Sequence, residues 1–156
     1  MVLLMLIFKI KKRRIKMKNS DSFREIPKAI EKIKLEIPIE YSIDCAGDVV
    51  KGDDICFAEA IFGGSFRNPY FNHLNLVIGK VVNDSYGKDK QQHTFTIMLL
   101  DGSKKLKKGR NVYRNFCFRK KWEDESLRIK IADEKHERGN KARDDRFLRK
   151  LYMINA

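Results

Sequence analysis

The chain has no cysteine framework. Its three cysteines, Cys45, Cys56 and Cys117, are odd in number, widely spaced and without a C-x-x-C pair. That pattern excludes the disulfide scaffold of a small secreted protein and gives zinc no nucleus, so reduced, buried cysteines of an intracellular protein are expected. A membrane-spanning run is also missing. Residues 1–8 are apolar, but a spanning helix needs ~20 apolar residues, and here the apolar run precedes its basic residues, the reverse of a secretory signal. His73, His93 and His136 stand far apart and give no metal-ligand spacing, so neither metal nor cofactor is expected.

No catalytic signature is present either. Cys56 or Cys117 could pair with His93, and Ser65 with His73, but no local motif accompanies any pair. The glycine pair at Gly63-Gly64 is followed by no Gly-Lys-Ser/Thr and no third glycine, which excludes both phosphate-loop fingerprints. Asp48, Asp53, Asp54 and Glu59 could hold Mg²⁺ for a nuclease, although turn chemistry explains the three aspartates more economically. The expectation is a protein without catalysis.

Acid is the most telling shortage. The chain has 156 residues and a net charge of +13. Residues 9–18 hold seven basic side chains and residues 104–121 hold nine, with no acid in either block, so the rest of the chain is slightly acidic. Local blocks of one sign imply an oppositely charged partner more strongly than a uniformly high pI does. Lys11, Lys12, Arg13 and Arg14 resemble a nuclear-localisation cluster, set in an N-terminal arm over residues 1–20 that is expected to be disordered.

A chain of this size can bury about 70% of its unfolded surface, so a core is feasible. Over residues 21–46 the spacing predicts a short helix, with Pro27 in its first turn and Ile26, Ile30 and Ile33 on one face, followed by a linker. Turn residues at Gly47-Asp48 and Lys51-Gly52-Asp53-Asp54 feed a predicted strand over 55–62, and a loop over 63–71 follows. Two more strands, 77–82 and 94–100, flank a polar loop, and a further strand over 112–118 is expected beside them. The fold class read from this is α+β: four or five short strands over residues 47–119, forming a small, strongly bent antiparallel sheet or partly open barrel. Residues 120–156 read as charged C-terminal helices broken at Gly139-Asn140, with Phe147, Leu148, Leu151 and Tyr152 docking on the sheet.

Function is sought in the second basic block. Lys104, Lys105, Lys107, Lys108, Arg110, Arg114, Arg119, Lys120 and Lys121 are interleaved with Tyr113, Phe116 and Phe118, a mixture suited to neutralising phosphates and stacking on bases. The plain alternative is that the aromatics pack inward and the cations are solvated. Tyr86, Lys88, Lys90, Gln91, Gln92 and His93 form a second candidate surface, because Gln and His can hydrogen-bond base edges or sugars and Tyr can stack. Nucleic acid is the expected partner and the nucleus the expected place. An acidic protein partner is the first alternative and a metal-dependent nuclease the second; no membrane contact is expected, and nothing fixes an oligomeric state.

A resemblance sharpens this. Gly47-Asp48-Val49-Val50 and Gly52-Asp53-Asp54-Ile55-Cys56-Phe57 are followed by Asp84-Ser85-Tyr86-Gly87 and by Gln91-Gln92-His93-Thr94-Phe95-Thr96. Lys108-Gly109-Arg110-Asn111-Val112-Tyr113-Arg114, Trp122-Glu123-Asp124-Glu125, Glu134-Lys135-His136 and Arg138-Gly139 then follow in order. This string resembles an uncharacterised domain of plant nuclear proteins that also carry a CCCH-type zinc finger and a SAP domain. The resemblance implies a nuclear, nucleic-acid-associated context rather than an activity. No Cys-Cys-Cys-His finger exists in this chain, so zinc and finger-mediated RNA binding do not carry over.

Overall fold

The computed structural model describes residues 19–88 and 92–155. The cluster Lys11 to Arg14, together with Lys90 and Gln91, lies outside the described residues. In chain order the elements are α1 (Asn19–Phe23), α2 (Ile26–Lys34), β1 (Tyr41–Asp44), β2 (Asp54–Gly64), β3 (Pro69–Tyr86), β4 (His93–Leu99), β5 (Lys104–Lys108), α3 (Gly109–Tyr113), β6 (Cys117–Lys120) and α4 (Glu125–Ile154). The fold is α+β. Six strands form one open sheet in the order β1-β6-β2-β3-β4-β5, every neighbouring pair antiparallel.

The alternation of side chains along β2 divides the interior between the two faces of the sheet. Ile55 and Phe57 point into the main core with Val77, Val81, Phe95, Ile97, Val112 and Cys117. On the reverse face Ala58 meets Ile33 of α2 and Phe116, with Leu74, Leu76 and Phe118 packed around them. Lys107 of β5 forms an ion pair with Glu59 of β2, although β3 and β4 lie between those strands in the sheet order. Only a strongly curled sheet lets them meet.

Several elements differ from the sequence reading. The expected loop over 63–71 contracts to a turn in which Asn68 N–H donates to the Ser65 carbonyl and hydroxyl, and β3 begins at Pro69. The polar loop after Val82 also shortens, because Asn83 to Tyr86 continue β3 past a bulge and pair with Thr96 to His93. Residues 112–118 are not one strand: α3 turns Val112 into the core, and only Cys117 onward pairs, as β6. Part of the linker forms β1 and part of the basic block forms β5, which brings the sheet to six strands.

The largest correction concerns the C-terminal helices. Residues 125–154 form one uninterrupted helix, and Gly139 lies inside it. This glycine serves close packing: a Cβ there would lie 3.1 Å from the Tyr86 hydroxyl. Nor do the expected apolar residues dock. Phe147, Leu148, Leu151 and Tyr152 are exposed, and the buried residues of α4 are Arg128, Ala132 and Lys135.

Polar anchoring explains how such a helix is held. Asp53 is fully buried and accepts from Val50 N–H at 2.9 Å, Trp122 Nε1 at 2.7 Å, and Arg128 Nε and Nη2 at 2.8 and 2.9 Å. Arg128 also reaches the Asp48 carboxylate and carbonyl. Gly52 gives the Trp122 ring its place: its φ is +99°, and a Cβ would lie 2.6 Å from the indole. Two turns further along, the buried ammonium of Lys135 donates to the Val49 carbonyl above the Phe95 ring, and burial lowers its pKa below the usual lysine value. Asp124 caps the helix start by accepting from Ser126 N–H and Leu127 N–H. Glu125 takes the Arg119 guanidinium in a bidentate pair at 2.9 and 3.0 Å, which holds its carboxyl down at about 2.

Candidate nucleic-acid interface

The structure divides the nine cations of residues 104–121. Arg119 is buried against Glu125, Lys120 pairs with Glu40 over the Tyr41 ring, and Lys121 is exposed just beyond β6. Those three stand near the β1 edge, whereas Lys104, Lys105, Lys107 and Lys108 form β5 at the opposite edge. Lys107 is tied to Glu59, and Lys105 helps hold the nearby Asp101 carboxyl below its usual range, behind the larger effect of the Ser103 hydroxyl. Lys104, Lys108, Arg110, Arg114 and Lys121 are exposed and form no ion pair among the described residues. A single continuous footprint along the block is therefore not what the fold makes.

The interleaved aromatics are spent on packing. Phe116 and Phe118 belong to the reverse-face core. Tyr113 lies edge-on to Phe95 and its hydroxyl accepts from Val49 N–H at 3.2 Å; burial pushes its phenol well above the usual value. Tyr86 is likewise enclosed, with His93 stacked on it at 4.5 Å and Arg138 at 5.9 Å from the ring centroid. Neither tyrosine presents a free ring face for a base. Three of the four carboxylates weighed as a magnesium site are engaged, Asp48 and Asp53 by Arg128 and Glu59 by Lys107, and no group of three metal-ligating side chains converges among the described residues.

One cleft does gather polar and cationic groups. It encloses about 500 Å³ between the β3–β4 hairpin and α4, lined by Tyr86, Gln92, His93, His136, Gly139, Asn140, Arg143 and Arg146. Among the described residues no carboxylate is in that lining. Behind it Asp84, buried, accepts from Arg138 Nη2 at 3.0 Å and lies 3.3 Å from His93 Nε2. Burial alone would raise the Asp84 pKa, but the hydrogen bonds from His93 and Arg138 outweigh it and hold the carboxyl below its usual value, so the charge that orients His93 is permanent at neutral pH. Arg146 donates to the Gly87 carbonyl at 3.2 Å and thereby pins the hairpin loop to the helix.

Part of the basic block adjoins the strand end that carries His93. Gly109 sits against His93, where an added Cβ would lie 3.5 Å from the His93 carbonyl and 3.6 Å from its Cβ, and Lys108 pairs with Thr94, the next residue. Lys108 and Arg110 thus adjoin this end of the sheet without lining the cleft, Lys108 sharing the face of Thr94, while His136, Arg143 and Arg146 line the cleft with His93. His136, Arg143 and Arg146 escaped the sequence reading. Their signal was present: His136, Asn140 and Arg143 follow i, i+4, i+7 spacing, which places them on one flank of a continuous helix, but a helix broken at Gly139 would have separated them.

A model of a family described as a domain of unknown function, DUF7699, matches residues 45–122, half of the chain. The chain belongs to the DUF7699 family. The match runs from Cys45, beside β1, to Trp122, whose indole closes over Gly52 and Asp53. A rice (Oryza sativa subsp. japonica) protein named zinc finger CCCH domain-containing protein 62 is 37% identical over 123 residues, 70% of this chain. The chain spans 18% of that relative's length, so the DUF7699 region is an uncharacterised domain of a plant zinc-finger-named protein. No solved structure matches the chain.

Proposed function

We propose that this DUF7699 protein is a nuclear, non-catalytic module that binds DNA or RNA through phosphate contacts. The observation that supports it best is the cleft between the β3–β4 hairpin and α4, whose described lining brings Arg143 and Arg146 together with His93 and His136 and holds no carboxylate, while Lys108 and Arg110 stand exposed at the adjoining end of β5. Positive charge in excess of the buried Asp84 carboxylate behind the cleft is more than solubility needs. The cluster Lys11 to Arg14 and a relative named for a zinc finger support the nuclear setting.

The mode differs from base stacking, because Tyr86, Tyr113, Phe116 and Phe118 are enclosed. Charge and hydrogen bonds from Asn140 and Gln92 remain, a combination that favours the sugar-phosphate backbone over base sequence. The test is fluorescence anisotropy with labelled single-stranded RNA and duplex DNA across about 50–200 mM salt. Four phosphate contacts give a logarithmic salt slope of about −3 on single strands and about −3.5 on duplex. Lys108→Ala with Arg110→Ala should flatten the slope by about 1.4 to 1.8, and Arg143→Ala by a further 0.7 to 0.9 or so. Absence of binding at low salt, or variants that bind like the parent, would refute the reading.

A further inference from the structure

We infer that the free edge of β5 is a docking strand for an extended acidic segment of another protein, which would add to the sheet as a seventh strand. Among the described residues β5 pairs with β4 alone and ends the sheet. Its hydrogen-bonding alternation can be read directly. Leu99 N–H donates to the Ser103 carbonyl at 2.8 Å, so the hydrogen-bonded pairs that follow are Ile97 with Lys105 and Phe95 with Lys107. The N–H and C=O groups of Lys104, Leu106 and Lys108 consequently point away from β4, toward the open edge.

The side chains state which partner this edge accepts. β5 reads Lys-Lys-Leu-Lys-Lys, with Leu106 72% exposed at its centre. A strand laid along it sets its own side chains directly opposite these, where opposite charges stabilise and like charges destabilise. A second copy of this chain is disfavoured on that ground, since two β5 edges would oppose lysine with lysine. Lysines on an edge strand ordinarily deter indiscriminate strand pairing. The same charges admit a strand that carries carboxylates, and Leu106 asks for one apolar residue at its middle.

The occupant is therefore a short extended segment with acidic residues on both sides of a central aliphatic one, a pattern that suits either strand direction because it is nearly palindromic. On the side of Lys105 and Lys107 the neighbouring groove, about 380 Å³, is lined also by Val77, Leu99 and Leu100 and by Glu59 and Asp101; Lys107 is paired with Glu59, so an inward carboxylate of the added strand has Lys105 as its partner there. Main-chain hydrogen bonds supply affinity in this mode, and the flanking side chains supply specificity.

The experiment uses a fluorescein-labelled peptide of two glutamates, one valine and two glutamates flanked by threonines, titrated with the full chain and followed by anisotropy. Three comparisons decide it. Replacing the glutamates with glutamine should weaken binding at least tenfold. Methylating alternate backbone amides of the acidic peptide, in each of the two alternating sets, should weaken it at least tenfold for one set. Leu106→Pro, which removes an edge-directed N–H while leaving both hydrogen-bonded pairs with β4 in place, should do the same, with circular dichroism confirming the fold. The methylated peptides keep the test valid even if that variant unfolds. Equal binding of methylated and unmethylated peptides would show attraction of charge without strand addition and overturn the inference, as would absence of binding at millimolar peptide. Nucleic-acid binding should survive Leu106→Pro, which separates this edge from the cleft.

Discussion

Asp53 receives four hydrogen bonds and has no exposure to solvent, so its carboxylate ties its own turn to the stretch from Trp122 to Arg128, distant in sequence. The turn before β2 closes through Val50, the end of the family-matched region closes through Trp122, and α4 closes through Arg128. Removing one member of a buried ion pair leaves the other charged in a low-dielectric interior, which typically costs about 3–5 kcal/mol. Asp53→Ala should lower stability by about that amount in urea unfolding, a large share of the ~5–15 kcal/mol available to a domain. Asp54→Ala, one residue away and only half-buried, should cost less than about 1 kcal/mol. Equal effects at the two positions would show that the buried network is not what fixes α4. In sequence these aspartates look alike, because turn chemistry accounts for both and what distinguishes them is the arrival of Trp122 from 69 and Arg128 from 75 positions away.

Helix α4 shows why some features were legible and others were not. The strands from Ile55 and Phe95 onward declared themselves by alternation, and α2 by Ile30 and Ile33 with Pro27 at its start, because each pattern reports a local period imposed by burial. α4 buries a stripe of Arg128, Ala132 and Lys135 instead and packs Gly139 against Tyr86, and since Arg, Lys and Gly usually mark a solvated face or a break, the periodicity points the wrong way. Its apolar residues near the C-terminus lie on the side opposite Arg146 and Arg149, which donate to the Gly87 and Lys88 carbonyls. It follows that Phe147→Lys should leave the urea midpoint within about 0.5 kcal/mol of the parent, whereas a docked phenylalanine cut from a core would cost about 3–5 kcal/mol. A loss in the second range would mean that this stretch packs against the domain after all. The cation-aromatic interleaving of residues 104–121 misled for a related reason: alternation in the sequence was real, but α3 and the start of β6 turn the rings inward and leave only some of the cations outside.

At the scale of the whole molecule, a net charge of +13 acts on stability and on binding with opposite signs. Self-repulsion among exposed cations such as Lys104, Lys108, Arg110 and Arg114 opposes the compact state and is long-ranged, so it weakens as the Debye length falls from about 30 Å at 0.01 M salt to about 8 Å at 0.15 M. The pairs that hold α4, Arg128 with Asp53 and Arg119 with Glu125, have cations that are nearly buried and in contact with their partners, where mobile ions screen little. Exposed pairs such as Arg24 with Asp21 and Lys34 with Glu31 would weaken in salt but contribute at most about 1 kcal/mol each. The repulsive term should therefore win, and Tm should rise between about 10 and 150 mM sodium chloride while affinity for nucleic acid falls across the same range. Thermal scans and anisotropy on one preparation measure both. A Tm that falls with salt would mean that exposed ion pairs, rather than the buried network at Asp53, carry the fold.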